Sequence, residues 1–300
     1  MSPRDGWMMP PGLDALLAPR SRAEVLASIA RDEPVVVHGL TNTVAALTAL
    51  PFLASLEALL RSWPEQVVVH LPDLADEASS ITAAPRDAHK LFANGMGLRF
   101  DDVHALSPVL EAWLGALRRD LGLSALTQGR CLVYATAAGH GTAAHCDQNI
   151  NVVLQLSGTK TWWLAPNHHV RRPLTRHTMG LPMDAELASY APDGMPSEMP
   201  ADQRAIVLEA GSLLVVPRGM WHATDAATDA MSLNFTYSAP TWIDLVTAAL
   251  RGRLAQSEAW RETAAPGDAA TFEALLRELA DDVPHWTAED ILAVTEADGG

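Results

Sequence analysis

Side chains that could bind a metal lie two residues apart near the middle of the chain. His145 and Asp147 flank a cysteine, and the residues that follow are mostly β-branched or long apolar ones, which favours one strand over residues 144–156. Side chains alternate along a strand, so His145, Asp147, Asn149 and Asn151 are predicted to share one face. A buried row of polar groups is costly unless a metal, water or ligand satisfies it. This segment is therefore predicted to line a functional cavity.

A His-x-Asp pair is common by chance, so a metal site requires a third ligand. His222 is the best candidate, because Val-Val-Pro-Arg-Gly-Met-Trp-His is typical of strand, tight turn and strand. Two histidines and one carboxylate on one face leave the opposite positions open, as in non-haem Fe(II) oxygenases. Structural zinc more often has four ligands, commonly thiolates, and Cys146 is predicted to face away. We predict that His145, Asp147 and His222 are the metal ligands and the catalytic residues.

With these ligands in place, the sequence resembles the Jumonji-C (JmjC), cupin-type 2-oxoglutarate oxygenases, especially their asparaginyl-hydroxylase-like and ribosomal-oxygenase-like branches. The resemblance extends to a threonine before the first ligand, an asparagine and a lysine after it, and an Asn-Phe pair on the last core strand: Thr142, Asn151, Lys160 and Asn234-Phe235. The family implies that Lys160 and Thr142 bind the distal carboxylate of 2-oxoglutarate. It also implies that Asn151 and Asn234 assist around the metal and the co-substrate.

One detail departs from the family pattern, and a second conflicts with the geometry of a regular strand. Several relatives use a tyrosine from upstream of the barrel at the 2-oxoglutarate carboxylate; none aligns here, and Tyr134 is the substitute that we consider. Thr142 has an odd offset from His145, which puts the two side chains on opposite faces of a regular strand. Gly139 and Gly141 nearby would allow a bulge or bend that re-aims Thr142.

The resemblance implies an Fe(II)- and 2-oxoglutarate-dependent enzyme that uses O2 to hydroxylate a protein, a peptide or a small molecule. Two alternatives keep the metal site. One is a non-catalytic cupin that serves as a sensor or scaffold, and the other is a metal-dependent isomerase or dioxygenase that does not use 2-oxoglutarate and would not need Lys160. The sequence does not identify the prime substrate, nor does it separate hydroxylation from demethylation or desaturation.

The periodicity predicts a mostly β core with helical additions, either a barrel or a jelly roll. The resemblance implies that this core is a double-stranded β-helix (jelly-roll, cupin) barrel with flanking N-terminal and C-terminal helices. We expect a helix and strand region over residues 1–125 and the barrel over 126–240. Over residues 241–300 we expect helices, roughly at 241–254, 268–280 and 287–296. Many short strands with glycine-bearing turns indicate the barrel, at 131–136, 144–156, 159–165, 205–210, 212–217, 219–224 and 229–237. Residues 72–103 are assigned to loop. Residues 166–204 interrupt the strands and are predicted to form a substrate-gating loop whose histidines and arginines are solvated.

Charge and composition exclude several classes of protein. The net charge of −15 argues against a nucleic acid as the main partner. Two cysteines cannot form a disulfide framework. No apolar run approaches the ~18 residues of a membrane span, so a cytoplasmic protein is predicted. The C-terminal helices are predicted to be either a cap on the barrel or a dimer interface; related proteins often dimerise through this region, which favours a homodimer.

Overall fold

The computed structural model describes residues 12–72, 79–265, 267–289 and 291. These group into two compact units, one within residues 1–122 and 129–238, the other within residues 123–128 and 239–300. The strands are β1 (Val35–Val37), β2 (Val67–His70), β3 (Ser80–Ala83), β4 (Gly97–Phe100), β5 (Gln128–Thr136), β6 (Gly141–Cys146), β7 (Ile150–Ser157), β8 (Lys160–Ala165), β9 (His177–Thr178), β10 (Arg204–Leu208), β11 (Leu213–Val216), β12 (Trp221–Ala226) and β13 (Ala230–Ser238).

Helices precede the barrel strands in the chain and follow them again. They are α1 (Leu13–Leu16), α2 (Arg22–Ala30), α3 (Thr41–Thr48), α4 (Leu56–Ser62), α5 (Pro85–Ala93), α6 (Pro108–Asp120), α7 (Ala185–Tyr190), α8 (Trp242–Leu254), α9 (Glu258–Arg261) and α10 (Ala269–Asp282). Helix α2 begins at a capping box in which Ser21 accepts from the Glu24 amide, as Ser-x-x-Glu predicts. No helix among the described residues is long and apolar enough to cross a lipid bilayer.

Two antiparallel sheets form the barrel. The large sheet has the order β1-β11-β7-β13-β5-β4-β2-β3, and the small sheet has the order β10-β8-β12-β6-β9. The chain passes repeatedly from one sheet to the other, which is the winding of a jelly roll. The predicted fold class, a mostly β cupin barrel with flanking helices, is confirmed.

The ligand segment is two strands instead of the single predicted strand over 144–156. The chain leaves the small sheet at Cys146, turns through residues 147–149 and enters the large sheet at Ile150. The backbone amide of Gly219 donates to the carbonyl of Asp147 at 2.8 Å, and Ser238 Oγ donates to the side-chain oxygen of Asn149 at 2.6 Å. Asp147-Gln148-Asn149 is a polar run that favours a turn, so the chain turns here in spite of the strand-like alternation of side chains on either side.

The assignment of residues 72–103 to loop is wrong for three elements within that range, β3, α5 and β4. Strands β3 and β4 extend the large sheet through β2, with α5 between them. The sequence signal is weak because β3 lies at the sheet edge with mostly exposed side chains, and α5 buries only Ala88. Strand β3 therefore lacks the apolar alternation of a half-buried strand, whereas α5 is amphipathic but short and polar on average, so neither contains an apolar run.

The insert at 166–204 is partly built into the small sheet. Its strand β9 pairs with β6, so that Thr178 lies opposite His145 and His177 lies opposite Cys146. Partly buried methionines of the insert, Met179, Met195 and Met199, pack against a cluster that contains Cys146 and Trp221. His177 is buried, which contradicts its predicted solvation. His168 is solvated as predicted and pairs with Asp202 at 3.0 Å.

Candidate metal centre and adjoining cavity

The three predicted ligands meet at one point inside the barrel. One ligand atom from each of His145, Asp147 and His222 lies within 4.8 Å of the others. His145 Nε2 is 4.0 Å from Asp147 Oδ1, and His222 Nε2 is 3.6 Å from Asp147 Oδ2. His145 and His222 are paired across β6 and β12, which explains why distant parts of the sequence present both rings side by side.

Backbone carbonyls fix which nitrogen of each histidine faces the centre. His145 Nδ1 lies 2.7 Å from the carbonyl oxygen of Ala143, and His222 Nδ1 lies 3.0 Å from that of Met220. A carbonyl oxygen only accepts, so each Nδ1 carries a proton, and in the neutral imidazole this leaves the lone pair on Nε2. Hydrogen bonds of this kind orient imidazole ligands in metal sites. The donor set fits a divalent metal bound by two Nε2 atoms and a carboxylate.

The Asp147 carboxylate is held from two sides. Asn151 Nδ2 donates to Asp147 Oδ2 at 3.0 Å, while Thr236 Oγ1 donates to Asn151 Oδ1 at 2.7 Å. On the other side, Arg176 Nε lies 3.3 Å from Asp147 Oδ1. These contacts fix the direction of the Asp147 carboxylate and do not involve the Nε2 atoms of the two histidines.

A bulge brings Thr142 onto the same face as His145. Strand β12 pairs His222 with His145 and Thr224 with Thr142, so two residues of β6 lie opposite one residue of β12. The extra residue reverses the alternation, and Thr142 lines the cavity together with His145. The predicted re-aiming of Thr142 thus has its cause inside β6, after Gly141.

Lys160 lies at the other end of the cavity, at the start of β8. Its side chain is buried, and its Nζ donates to Thr136 Oγ1 at 3.0 Å. Burial lowers its pKa from 10.5 to about 8. Within the described residues, no carboxylate is paired with this ammonium. A buried cation in this condition is expected to have an anionic ligand as its partner.

The small sheet arranges these groups in order. His145 and His222 form one row, Thr142 and Thr224 the next, and Lys160 lies opposite Ala226 at the far end of β12. Ala226 lies four positions after His222 along β12, a distance of about 13 Å. A ligand that lies between a metal at the histidine row and Lys160 would have a group that binds the metal at one end and an acceptor for the Lys160 ammonium at the other.

The seven residues predicted to bind the metal or the co-substrate, His145, Asp147, His222, Thr142, Asn151, Lys160 and Asn234, all line one cavity of about 550 Å³ that includes its open mouth. Tyr134 lines it as well, and with His70 it borders a smaller adjoining space. The roles of these residues toward a co-substrate stay predictions.

Sequence reasoning missed Arg176, which is assigned to solvent with the other arginines of the insert although it lines the cavity. Trp162 is predicted to lie in the core or the cavity wall because of its large apolar area, and its ring does line the cavity, where it stacks on His222 with centroids 5.6 Å apart and planes at 20°. Arg176 reaches the cavity only because β9 pairs with β6, and a strand of two residues leaves no periodic signal.

Comparisons with known proteins agree with this site. Residues 118–245 match the JmjC domain family. Over 95% of its length the chain is 28% identical to an uncharacterized protein of Bacillus subtilis (strain 168), YxbC, and covers 92% of it. Over 85% of its length it is 27% identical to ribosomal oxygenase 1 of Gallus gallus, but it covers only 41% of that protein. The chain thus spans less than half of this longer relative.

A solved structure shows the same fold. The ribosomal oxygenase YcfD from Escherichia coli, determined in complex with cobalt and succinic acid, superposes with a TM-score of 0.50 at 16% identity, covering 87% of this chain and 66% of that one. The match at residues 118–245 confirms the resemblance to the JmjC family that is predicted from the sequence, and the His-Asp-His group inside the barrel agrees with it. The chain therefore contains a JmjC domain at residues 118–245.

Proposed function

We propose that this protein is an Fe(II)- and 2-oxoglutarate-dependent oxygenase that hydroxylates a C–H bond of its substrate. The observation that carries the proposal is that one cavity contains both an open His-Asp-His centre and a buried lysine, Lys160, that has no carboxylate partner among the described residues. Bound Fe(II) would supply O2 activation, with one oxygen atom entering the hydroxylated product and the other entering succinate as 2-oxoglutarate loses CO2.

The chain's own residues would bind and orient the co-substrate. Lys160 and Thr142 would hold the distal carboxylate, since both project into the cavity on the Lys160 side of the histidine row. Asn234 adds an amide on the facing strand β13, where its Oδ1 accepts from Ser232 Oγ at 3.0 Å. Asn151 and Thr236 would keep Asp147 directed at the metal. The Trp162 ring covers His222 and limits access of water from that wall.

Lys160 is also what disfavours the alternatives. A metal-binding sensor, or an isomerase that works without 2-oxoglutarate, would need the triad but would gain nothing from a buried ammonium without a counter-charge. The prime substrate, whether a protein, a peptide or a small molecule, and a cytoplasmic location stay predictions.

Succinate formation tests the proposal directly. Purified protein supplied with Fe(II), 2-oxoglutarate and O2 should release succinate, and omission of any one should stop release. Asp147→Ala should abolish release, because it removes one of three metal ligands. Asp225→Ala, at an exposed aspartate on β12, is the matched control and should behave as wild type. Metal binding without any succinate, under oxygen and across candidate substrates, would favour a non-catalytic cupin and contradict the proposal.

A further inference from the structure

An arginine-rich groove lies apart from the metal cavity. It consists of two adjoining cavities of about 1020 Å³ and 670 Å³, each including its open mouth. The two cavities share four lining residues: Arg31, Asp32, Pro166 and Met220. The arginines that line the groove are Arg20, Arg31, Arg171, Arg172, Arg204 and Arg218. No described residue lines both this groove and the metal cavity.

The groove is positively charged although the chain as a whole is negatively charged. Its described lining residues include six arginines and three carboxylates, Asp32, Glu33 and Asp202, which gives a net charge of +3 when His168 is counted as neutral. The whole chain carries −15. Like charges that are concentrated in a groove attract a ligand of the opposite sign. The groove therefore favours an anionic ligand.

Three of the six arginines have no partner for their charge in the part of the chain that the structure describes. Arg31 pairs with Glu33 at 2.8 Å, and Arg171 pairs with Asp32 at 3.0 Å. The groove arginines that are exposed and make no side-chain hydrogen bond or ion pair with a described residue are Arg20, Arg172 and Arg204. We call these three the unpaired arginines.

Two of the unpaired arginines lie near a carboxylate that already has a partner. The hydrogen bond from Arg31 lowers the pKa of Glu33 below its usual value. The positive charges of Arg204 and Arg20 lower the pKa of Glu33 further, so both guanidiniums lie close enough to act on it. One carboxylate thus lies near three guanidiniums, and a second carboxylate, supplied by a ligand, would find two of them without an ion pair.

The third unpaired arginine, Arg172, has an uncommon backbone conformation. It has a φ of +55° and Asp32 has a φ of +59°, whereas Asp102 is the other non-glycine residue with a positive φ among those described. Arg218 Nη2 donates to the carbonyl oxygens of Arg172 at 3.3 Å and of Pro173 at 2.7 Å. Such a conformation costs free energy and persists where the surrounding structure determines it. The backbone therefore holds Arg172 at a defined place in the groove.

The arrangement of charges fits an acidic protein segment better than a nucleic acid. A nucleic-acid strand carries one phosphate about every 3.4 Å, so it would bring phosphates against the three carboxylates of the groove. A peptide can carry its carboxylates at intervals that match the unpaired arginines, whose planar forks suit carboxylate oxygens. The groove also contains buried apolar side chains between its charges: Leu164, Ala165 and Met220. These could contact the apolar parts of a peptide.

We propose that this groove binds an acidic segment of a protein partner, with carboxylates of that segment on Arg20, Arg172 and Arg204. The proposal is independent of the proposed function, because the groove and the metal cavity have no described lining residue in common. The groove does border the metal turn, since the backbone amide of Gly219, one of its lining residues, donates to the carbonyl of Asp147 at 2.8 Å. A bound partner would therefore lie beside this turn.

Fluorescence anisotropy with the full-length protein tests the proposal. The probe is a short, capped, dye-labelled peptide with several aspartyl residues. Matched peptides carry asparaginyl or lysyl residues at the same positions, and a further probe is single-stranded DNA of similar length. We expect the aspartyl peptide to bind most tightly of the four. Its binding should weaken as the salt concentration rises, because the groove arginines are exposed.

Replacement of the unpaired arginines should weaken this binding. The combined variant Arg20→Gln, Arg172→Gln and Arg204→Gln should bind the aspartyl peptide roughly 10- to 100-fold less tightly, since each of three exposed ion pairs contributes modestly. Lysine at the same three positions should retain part of the affinity, because the charge remains while the fork is lost. Circular dichroism of each variant establishes that the fold is retained.

A charge-matched control separates the groove from the overall charge of the protein. It replaces three exposed arginines outside the groove and should bind the aspartyl peptide as wild type does: Arg61→Gln, Arg86→Gln and Arg251→Gln. An equal loss of affinity in this control, or full affinity in the groove variant, would overturn the proposal. So would a wild type that binds the asparaginyl peptide as tightly as the aspartyl peptide, or one that binds the DNA more tightly.

Discussion

Replacing Lys160 by methionine removes a buried charge while retaining most of the side-chain volume. In the ligand-free protein the ammonium has Thr136 as its hydrogen-bond partner, and burial lowers its pKa from 10.5 to about 8. A difference of this size corresponds to about 3 kcal/mol of unfolding free energy, which the charged form costs at neutral pH. The Lys160→Met variant should therefore be more stable than wild type at pH 7, by up to about 3 kcal/mol.

The gain should depend on pH in a defined direction. Between pH 8 and about 10.5 the unfolded chain binds a proton at this lysine that the folded chain has released, so the wild type gains stability as pH rises through this window. The variant lacks this increase, and the stability difference should shrink toward pH 10.5. Urea unfolding of both proteins at several pH values measures it. Lys90→Met, at an exposed lysine paired with Asp87, is the control and should show no such trend.

In the presence of 2-oxoglutarate, Lys160→Met should lose this stability advantage, because the wild type binds the co-substrate more tightly. Loss of one partner of a buried ion pair typically costs about 3–5 kcal/mol, so co-substrate affinity should fall roughly two to three orders of magnitude in Lys160→Met. Lys160 and Lys90 are the only lysines in the sequence, and ε-¹³C-lysine NMR would therefore give two resolved titrations. The Lys160 pKa should rise when 2-oxoglutarate binds. A variant with unchanged stability and unchanged affinity would refute the reasoning.

Two further predictions address the metal centre and the second unit. Asn151→Ala removes the hydrogen bond to Asp147 and should weaken metal binding about 10- to 100-fold, measured by competition with a chelator; unchanged affinity would show that the bond is dispensable. On α8 and α10, four large apolar side chains are exposed: Trp242, Val246, Phe272 and Leu276. Sedimentation should show that the wild type is a dimer and that Trp242→Glu is a monomer. A monomeric wild type would contradict the predicted homodimer.

The barrel strands were predictable because each carries a regular apolar pattern and ends at a turn residue. Gly158 and Gly211 have φ angles of +71° and +91° at turns between strands, a conformation that favours glycine. The triad was predictable because a His-x-Asp pair and a histidine after a tight turn are local patterns. Within the described residues, the predicted C-terminal helices at 241–254 and 268–280 correspond to α8 and α10, while most of a third, at 287–296, lies outside them.

The features that could not be predicted from the sequence depend on strand pairing between distant segments. Arg176 approaches Asp147 because a two-residue strand of the insert joins the edge of β6, and such pairing has no local signature. The face of Thr142 depends on an extra residue in β6 opposite β12, which parity alone cannot predict. Asp147 faces the metal centre from a turn, so the single-strand argument reached the right residue by the wrong geometry.

A crystal structure of the manganese-loaded protein with 2-oxoglutarate, grown without oxygen, tests the central claim most directly. We predict one metal bound by His145 Nε2, His222 Nε2 and the Asp147 carboxylate, with the co-substrate reaching from that metal to Lys160 Nζ. A metal bound elsewhere, or a dicarboxylate that leaves Lys160 without a carboxylate partner, would contradict it.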